Sequence, residues 1–413
     1  MQPSPLPVPE LRRHWLAVLA CFASAVFAWG FGFYGQSVYL AELQRTHGWS
    51  AGAISGASTV FYLAGAAVLV RVHAAMARFG PRTVLGGGAV LLAVGATGFA
   101  RSAAVWQLYL AALVMAVGWA GTSSAAISTT LARFFDRQRG LAISLALNGA
   151  SAAGFTVAPL LVILAGRQGL ARAVPVTAGA LLLVLLPLIA FAFRVAPTGA
   201  APLASPDEPA ALGRPAPETT RQALATPRFW TVSIPFGLAI LAQVGFVVHL
   251  VAFLRPLLGA AGTAQAVALV AAAAMAGRLA LGLVIDRIDQ RRAAAASLAS
   301  QAIALAAMAA LPTPAVLYAG CLLFGLSVGN VITFPALIVQ REFAARAFGL
   351  VIGLNTAIVQ LTFSFGPALL GMVRDAAGSY VPALGVCIVA EIAAAAIVLA
   401  GRPRGLSPAR NLG

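Results

Sequence analysis

The sequence predicts an all-α membrane protein with twelve transmembrane helices, arranged as two six-helix bundles related by a pseudo-two-fold axis along the membrane normal. Three observations carry this. Of 413 residues, 61% are hydrophobic and only 9% are charged, against about 25% charged in a soluble domain. Apolar runs long enough to cross a bilayer, which takes about 20 residues, recur between charged breaks along the whole chain. A Pro-rich stretch at 195–228 then divides these runs into two sets of six. Helix is the expected form of each run, because an open strand would leave backbone groups unpaired in lipid.

Taken in order, residues 1–14 are a polar tail, Pro-rich up to Glu10. The first run, 15–40, is longer than the apolar core of a cleaved signal and lacks a cleavage site, so it reads as a span. Runs at 52–74, 83–101, 105–131, 139–165 and 173–194 complete a first bundle over 15–194. The segment 195–228 holds Pro197, Pro202, Pro206, Pro209, Pro215, Pro217 and Pro227 among Asp207, Glu208 and Glu218, the composition of a flexible linker. Runs at 229–256, 263–285, 293–311, 314–338, 346–372 and 380–400 form a second bundle over 229–400, before a tail at 401–413.

The net charge is +16, every basic residue is Arg, and there is no Lys. A basic chain can suggest nucleic acid, but these Arg residues lie in short segments between apolar runs and follow topology instead. With the N-terminus inside, twenty fall on the cytoplasmic side and five (Arg45, Arg101, Arg167, Arg172 and Arg374) outside. That bias places both termini in the cytoplasm of a multi-pass protein, here of a bacterial inner membrane. Cys21, Cys321 and Cys387 all sit within apolar runs, without metal-ligand spacing, and read as small core residues.

The halves repeat at an offset of 209. Arg139-Gly140-Leu141 opens the fifth run and Phe348-Gly349-Leu350 the eleventh, and Ala77 corresponds to Asp286. Two parallel six-span repeats are one known transporter layout.

These residues resemble the major facilitator superfamily, whose hallmark is a Gly-x-x-x-Asp-Arg-x-Gly-Arg-Arg loop after the second span, with a weaker copy after the eighth. Here Gly282, Asp286, Arg287 and Arg291 match in the second copy, with Asp289 at a Gly position. The first copy keeps Arg78, Gly80 and Arg82 but has His73 and Ala77 where Gly and Asp are expected. The resemblance implies that both loops act as gating latches on the cytoplasmic side. Within the superfamily the chain is similar to the monocarboxylate and oxalate–formate transporters. The motifs are Gly48-Trp49-Ser50, Arg133-Phe134-Phe135-Asp136-Arg137, Thr226-Pro227-Arg228-Phe229-Trp230, His249-Leu250 and Gly277-Arg278-Leu279. Oxalate carriers of that group place a Lys in the eleventh span, so the absence of Lys disfavours a dicarboxylate held by two cations.

Arg278 lies well inside the eighth run, where a charge costs at least about 2.5 kcal/mol. Its fork matches a carboxylate; the plainer alternative is a structural Arg bonded to helix carbonyls. His249 is placed to bind substrate or couple protons, or to bond a neighbouring helix. Glu391, inside the twelfth run, is a second proton candidate, or else a neutral protonated acid or a crystal or oligomer contact. Tyr34, Tyr62, Trp119, Asn148, Asn355 and Gln360 are candidate cavity residues, each with interhelical bonding as its alternative. Asn148 and Asn355 occupy related positions in the two repeats.

No phosphate-cradling Gly-rich loop and no Cys/His cluster is present, so neither nucleotide, metal nor other cofactor is expected. The leading reading is a secondary carrier, not an enzyme, for small organic anions, most simply monocarboxylates, working as a monomer and coupled to protons. An exporter of lipophilic compounds and a non-transporting receptor or scaffold stand as alternatives. Competition by simple carboxylates separates the first two, and liposome flux excludes the third.

Overall fold

The computed structural model describes residues 10–135, 138–194, 217–344 and 347–402. Asp136, Arg137, Arg346, the linker from 195 to 216 and the tail beyond Arg402 lie outside the described residues, as does the side chain of Asp286. Every regular element among the described residues is helical.

The long apolar helices are α1 (Trp15–His47), α2 (Ala51–Leu69), α3 (Val72–Ala100), α4 (Val105–Leu131), α5 (Arg139–Gln168), α6 (Leu170–Ala192), a continuous Pro227–Val284, α9 (Gln290–Ala310), α10 (Pro314–Val331), α11 (Phe348–Ala377) and α12 (Tyr380–Ala400). Pro227–Val284 is 58 residues long and holds two spans, because Gly259 at φ 67° and ψ −177° breaks its helical path. Only glycine adopts that conformation without steric cost, and Pro256 removes a backbone donor just before it. The halves are α7 (227–258) and α8 (260–284), giving twelve spans.

Several bounds differ from those the apolar runs suggest. α2 stops at Leu69, and Gly80 at φ 76° breaks the following helix just before Pro81. Residues 72–79 are therefore a short connecting helix rather than the end of the second span. α1 continues to His47 and contains one π-helical turn, Gly30–Tyr34. Such turns leave an extra residue in the ladder and often mark functional positions. Phe334–Glu342 continues the chain beyond α10 after a break at Ile332 and Thr333.

Backbone contacts divide the chain into two compact units, Met1–Glu42 with Ala64–Ala204 and Leu43–Leu63 with Ser205–Gly413. The first part of α2 thus groups with the second unit. In the first unit, α3 and α4 approach through glycines. A Cβ on Gly118 would overlap the backbone of Leu92, and one on Gly88 would lie 3.0 Å from the Gly121 backbone. Membrane helices lack a hydrophobic drive to associate, so such close van der Waals contact is what holds them.

The ends of the helices are tied by arginines. Arg133, just past α4, donates from Nη2 to the Met76 carbonyl at 2.9 Å, satisfying a terminal acceptor of the 72–79 helix. Arg341 donates in the same manner to the Ile288 carbonyl at 3.3 Å in the second unit. Asp289 caps α9 by accepting from the Arg292 N–H at 3.0 Å and pairs with Arg402 Nε at 2.7 Å. Burial alone would raise the pKa of Asp289, but these bonds outweigh it and hold the carboxyl below its ordinary value. A depressed folded-state pKa adds stability above the unfolded value and loses it as pH falls through the folded one. Thermal unfolding followed by tryptophan fluorescence should therefore show the wild type losing more stability below about pH 4 than Asp289→Asn. Asn caps a helix as well as Asp does, so the variant removes only the charge.

Candidate functional site

The predicted residues fall into separate groups. Arg278 is half-buried on α8, and its Nε donates to the Gly329 carbonyl of α10 at 3.3 Å. Gly329 makes room for this: a Cβ there would sit 3.3 Å from Arg278 Cβ and would overlap the Ala274 carbonyl. Asn330, the next residue, is 7% exposed; its Nδ2 bonds the Leu326 carbonyl while its Oδ1 has no partner among the described residues. A guanidinium and a glycine carbonyl thus meet across two membrane spans, and the residue after that glycine is a buried amide. The structural alternative for Arg278, bonding to a helix carbonyl, is realised at its Nε.

His249 is 1% exposed on α7 and belongs to a different group. Its Nε2 lies 3.0 Å from the Pro367 carbonyl of α11, and its Nδ1 lies 3.2 Å from the Tyr380 hydroxyl of α12. A carbonyl only accepts, so Nε2 carries the proton and Nδ1 accepts from the tyrosine. α7 reaches α11 this closely because Gly366 and Gly245 meet: a Cβ on Gly366 would overlap the Leu241 carbonyl. Arg278 and His249 lie on either side of the Gly259 break and bond different helices.

Glu391 is fully buried on α12, and neither carboxyl oxygen has a hydrogen-bond partner among the described residues. An ionised carboxylate without a cation costs several kcal/mol, on the order of the penalty for a buried ion. In the same unit, Gln301 of α9 donates to Gln243 of α7 at 3.3 Å and has no partner for its own Oε1 among the described residues.

The aromatic and amide candidates also separate. Tyr34 lies in the π-turn of α1, edge-on to Phe33 with centroids 5.0 Å apart. Trp119 of α4 packs on Trp29 of α1 at 4.9 Å. Tyr62 of α2 is 2% exposed, sits edge-on to Phe363 of α11 at 5.5 Å, and has no partner for its hydroxyl among the described residues. Asn355 is 3% exposed with Oδ1 unpartnered among the described residues, whereas Asn148 of α5 is half-buried. Gln360 is half-buried, and its carbonyl accepts from the Ser364 hydroxyl at 2.7 Å.

The gating candidates divide sharply. Arg78 is exposed, with its guanidinium 5.2 Å from the Phe79 ring centroid; Arg82, Gly282 and Arg287 are exposed as well. Arg291 is 2% exposed and engaged with Glu342, a residue that sequence reasoning passed over because it follows α10 in an ordinary polar segment. The offset of 209 offered a signal: Arg291 and Glu342 correspond to Arg82 and Arg133, so an opposite-charge pair replaces a like-charge one.

Twelve apolar spans among the described residues, with few interior charges, define a polytopic membrane protein. The model of the Major Facilitator Superfamily matches residues 20–367, and the chain belongs to that family. Monocarboxylate transporter 11 of Mus musculus is 29% identical over 98% of this chain and 91% of its own length. Monocarboxylate transporter 11 of Homo sapiens is 30% identical over 73% of this chain and 65% of its own length. Among solved structures, a bacterial homologue of the human lysosomal transporter Spinster, crystallised inward-facing and unoccupied, superposes with a TM-score of 0.74. That match has 14% identity over 97% of this chain and 100% of the other, a likeness of fold.

Proposed function

We propose that this transporter carries small organic anions, most simply monocarboxylates, by alternating access across a bacterial inner membrane, with both termini cytoplasmic. The observation that carries the reading is Arg278, a guanidinium kept inside a membrane span against the Gly329 carbonyl. Keeping a charge there is costly, and a planar fork of donors is suited to a carboxylate. The two mammalian relatives support the substrate class by their names alone. His249 holds α7 to α11 and α12, and it and Glu391 are the two buried groups through which protons would couple. The exposed Arg78, Arg82 and Arg287, with Gly282 and Asp286, form the cytoplasmic gating loops.

Uptake of labelled lactate and pyruvate into proteoliposomes tests this, with and without an inward proton gradient. Wild type should take up both saturably, and Arg278→Ala should lose about 30-fold or more in apparent affinity, the scale of a charge-assisted hydrogen bond. Normal uptake by folded Arg278→Ala, or none by wild type, rejects the carboxylate reading in favour of an exporter of lipophilic compounds.

A further inference from the structure

The second unit contains a contact between the first turn of α2, directly after Gly48-Trp49-Ser50, and the last turn of α11. The first turn of α2 ends on the Asp375 carboxylate of α11: Ala51 N–H donates to Oδ1 at 3.0 Å and Gly52 N–H to Oδ2 at 2.6 Å. These are two of the donors that a helix start leaves without intrahelical partners, and the helix dipole favours a negative charge there. The exchange is reciprocal. α11 is interrupted near Ser364 and Phe365, and its second segment starts at Gly366. The free N–H of Ala368 in that new first turn donates to Thr59 Oγ1 of α2 at 3.3 Å. Each helix start is therefore capped by a side chain of the other helix.

Between the caps the surfaces fit closely. A Cβ on Gly371 would overlap Ser55 Oγ and stand 2.9 Å from the Ala51 backbone, so only glycine permits the approach. The seam ends deeper in the membrane at the Tyr62–Phe363 ring contact. It runs as 51/52 against 375, 55 against 371, 59 against 368 and 62 against 363, an antiparallel zipper with helical spacing. Arg374 pairs with Asp375 at 3.1 Å and lies 5.8 Å from the Tyr380 ring, whose hydroxyl bonds His249. α2 is also the helix divided between the two compact units, residues 43–63 grouping with the second and 64 onward with the first.

We propose that Asp375 is the closing residue of an external gate. Its carboxylate binds the N-terminus of α2 when the outer ends are shut and releases it when they part. The outward placement rests on the alternating-access reading and on the orientation from the Arg count. Strength and reversibility both follow from the chemistry: two charge-assisted bonds hold the closed form, and water satisfies the same donors and acceptor when they separate. Thr59 and Gly371 set the register, and the Arg374–Tyr380–His249 contacts connect the latch to α7.

The test uses the full-length protein spin-labelled at Thr46→Cys and Ala377→Cys, both exposed positions near the seam. The native cysteines are buried and do not compete for label. Pulsed dipolar spectroscopy should show a short separation dominating in this background. Asp375→Asn should raise the ratio of separated to closed ends about tenfold, the scale of losing one charge-assisted bond. Gly371→Ala should shift it in the same direction by steric wedging, and Asp375→Glu should recover part of the closed population. An unchanged distance distribution in folded Asp375→Asn overturns the latch, whether or not uptake changes. A distribution that widens as expected while wild type transports no carboxylate keeps the latch and rejects only the substrate class.

Discussion

Replacing Glu342 by alanine should destabilise the protein by about 3–5 kcal/mol, the range for stripping one partner from a buried ion pair. Arg291 is 2% exposed and Glu342 6% exposed. Arg291 Nε meets Glu342 Oε1 at 2.6 Å and Nη2 meets Oε2 at 2.9 Å, a bidentate pair. The remaining donors reach the Val398 carbonyl at 3.0 Å, the Thr231 carbonyl at 3.2 Å and Thr231 Oγ1 at 2.9 Å. The guanidinium has five N–H groups, and each has an acceptor. One side chain thus ties the start of α9 to α7, α12 and the segment after α10. Without Glu342 the cation stays buried and loses its carboxylate.

The reverse change should cost less. Arg228 Nε already lies 3.8 Å from Glu342, so Arg291→Ala leaves the carboxylate with a second, partly exposed cation. Replacing both partners together, as Arg291→Met with Glu342→Leu, should come close to wild-type stability, since a hydrophobic pair of similar volume avoids the desolvation cost. Thermal unfolding in detergent of the three variants checks the order. Equal loss in Glu342→Ala and the double variant would show that the site acts through volume and not charge.

Gly277→Ala should lower stability and transport together. A Cβ at Gly277 would overlap the Leu326 carbonyl oxygen and lie 2.8 Å from its carbon and 3.0 Å from its Cα. These are backbone atoms of a neighbouring helix and cannot swing aside as a side chain would. Gly325 and Gly329 continue the seam on α10: a Cβ on Gly325 would be 2.6 Å from the Val270 carbonyl. A methyl group must push α8 from α10, at the roughly 1–3 kcal/mol typical of overpacking. The better helix propensity of alanine offsets at most about 1 kcal/mol of this. The same displacement pulls Arg278 Nε from the Gly329 carbonyl, now at 3.3 Å, so the cation loses its position. Gly385→Ala on α12 is the control, because nothing lies within 4 Å of a Cβ there. Normal uptake by a destabilised Gly277→Ala would separate the packing of this seam from the placement of Arg278.

The sequence by itself determined the class of fold and the number of spans. Apolar length, the scarcity of charge and the Pro-rich divide are properties of the chain, read without knowing what touches what. It also exposed the repeat and the superfamily, because the loop glycines and arginines recur at fixed positions. It placed Arg278 and His249 in spans, since an ionisable residue in an apolar run stands out against its neighbours. The partners of these residues were decided only by the tertiary structure. His249 closes on the carbonyl of Pro367 and the hydroxyl of Tyr380, more than a hundred residues away, and a carbonyl carries no sequence signal at all. Arg291 read as a motif residue of a gating loop, and its burial against Glu342 and Thr231 appears only in the packed structure. Asp375 drew no reading from the sequence, and it caps a helix because Gly371 lets α2 approach α11. Hydrophobic patterning depends on each residue's own transfer free energy and is legible locally. Hydrogen bonds and ion pairs depend on two groups meeting within about 3 Å, and only the packed helices determine which ones meet.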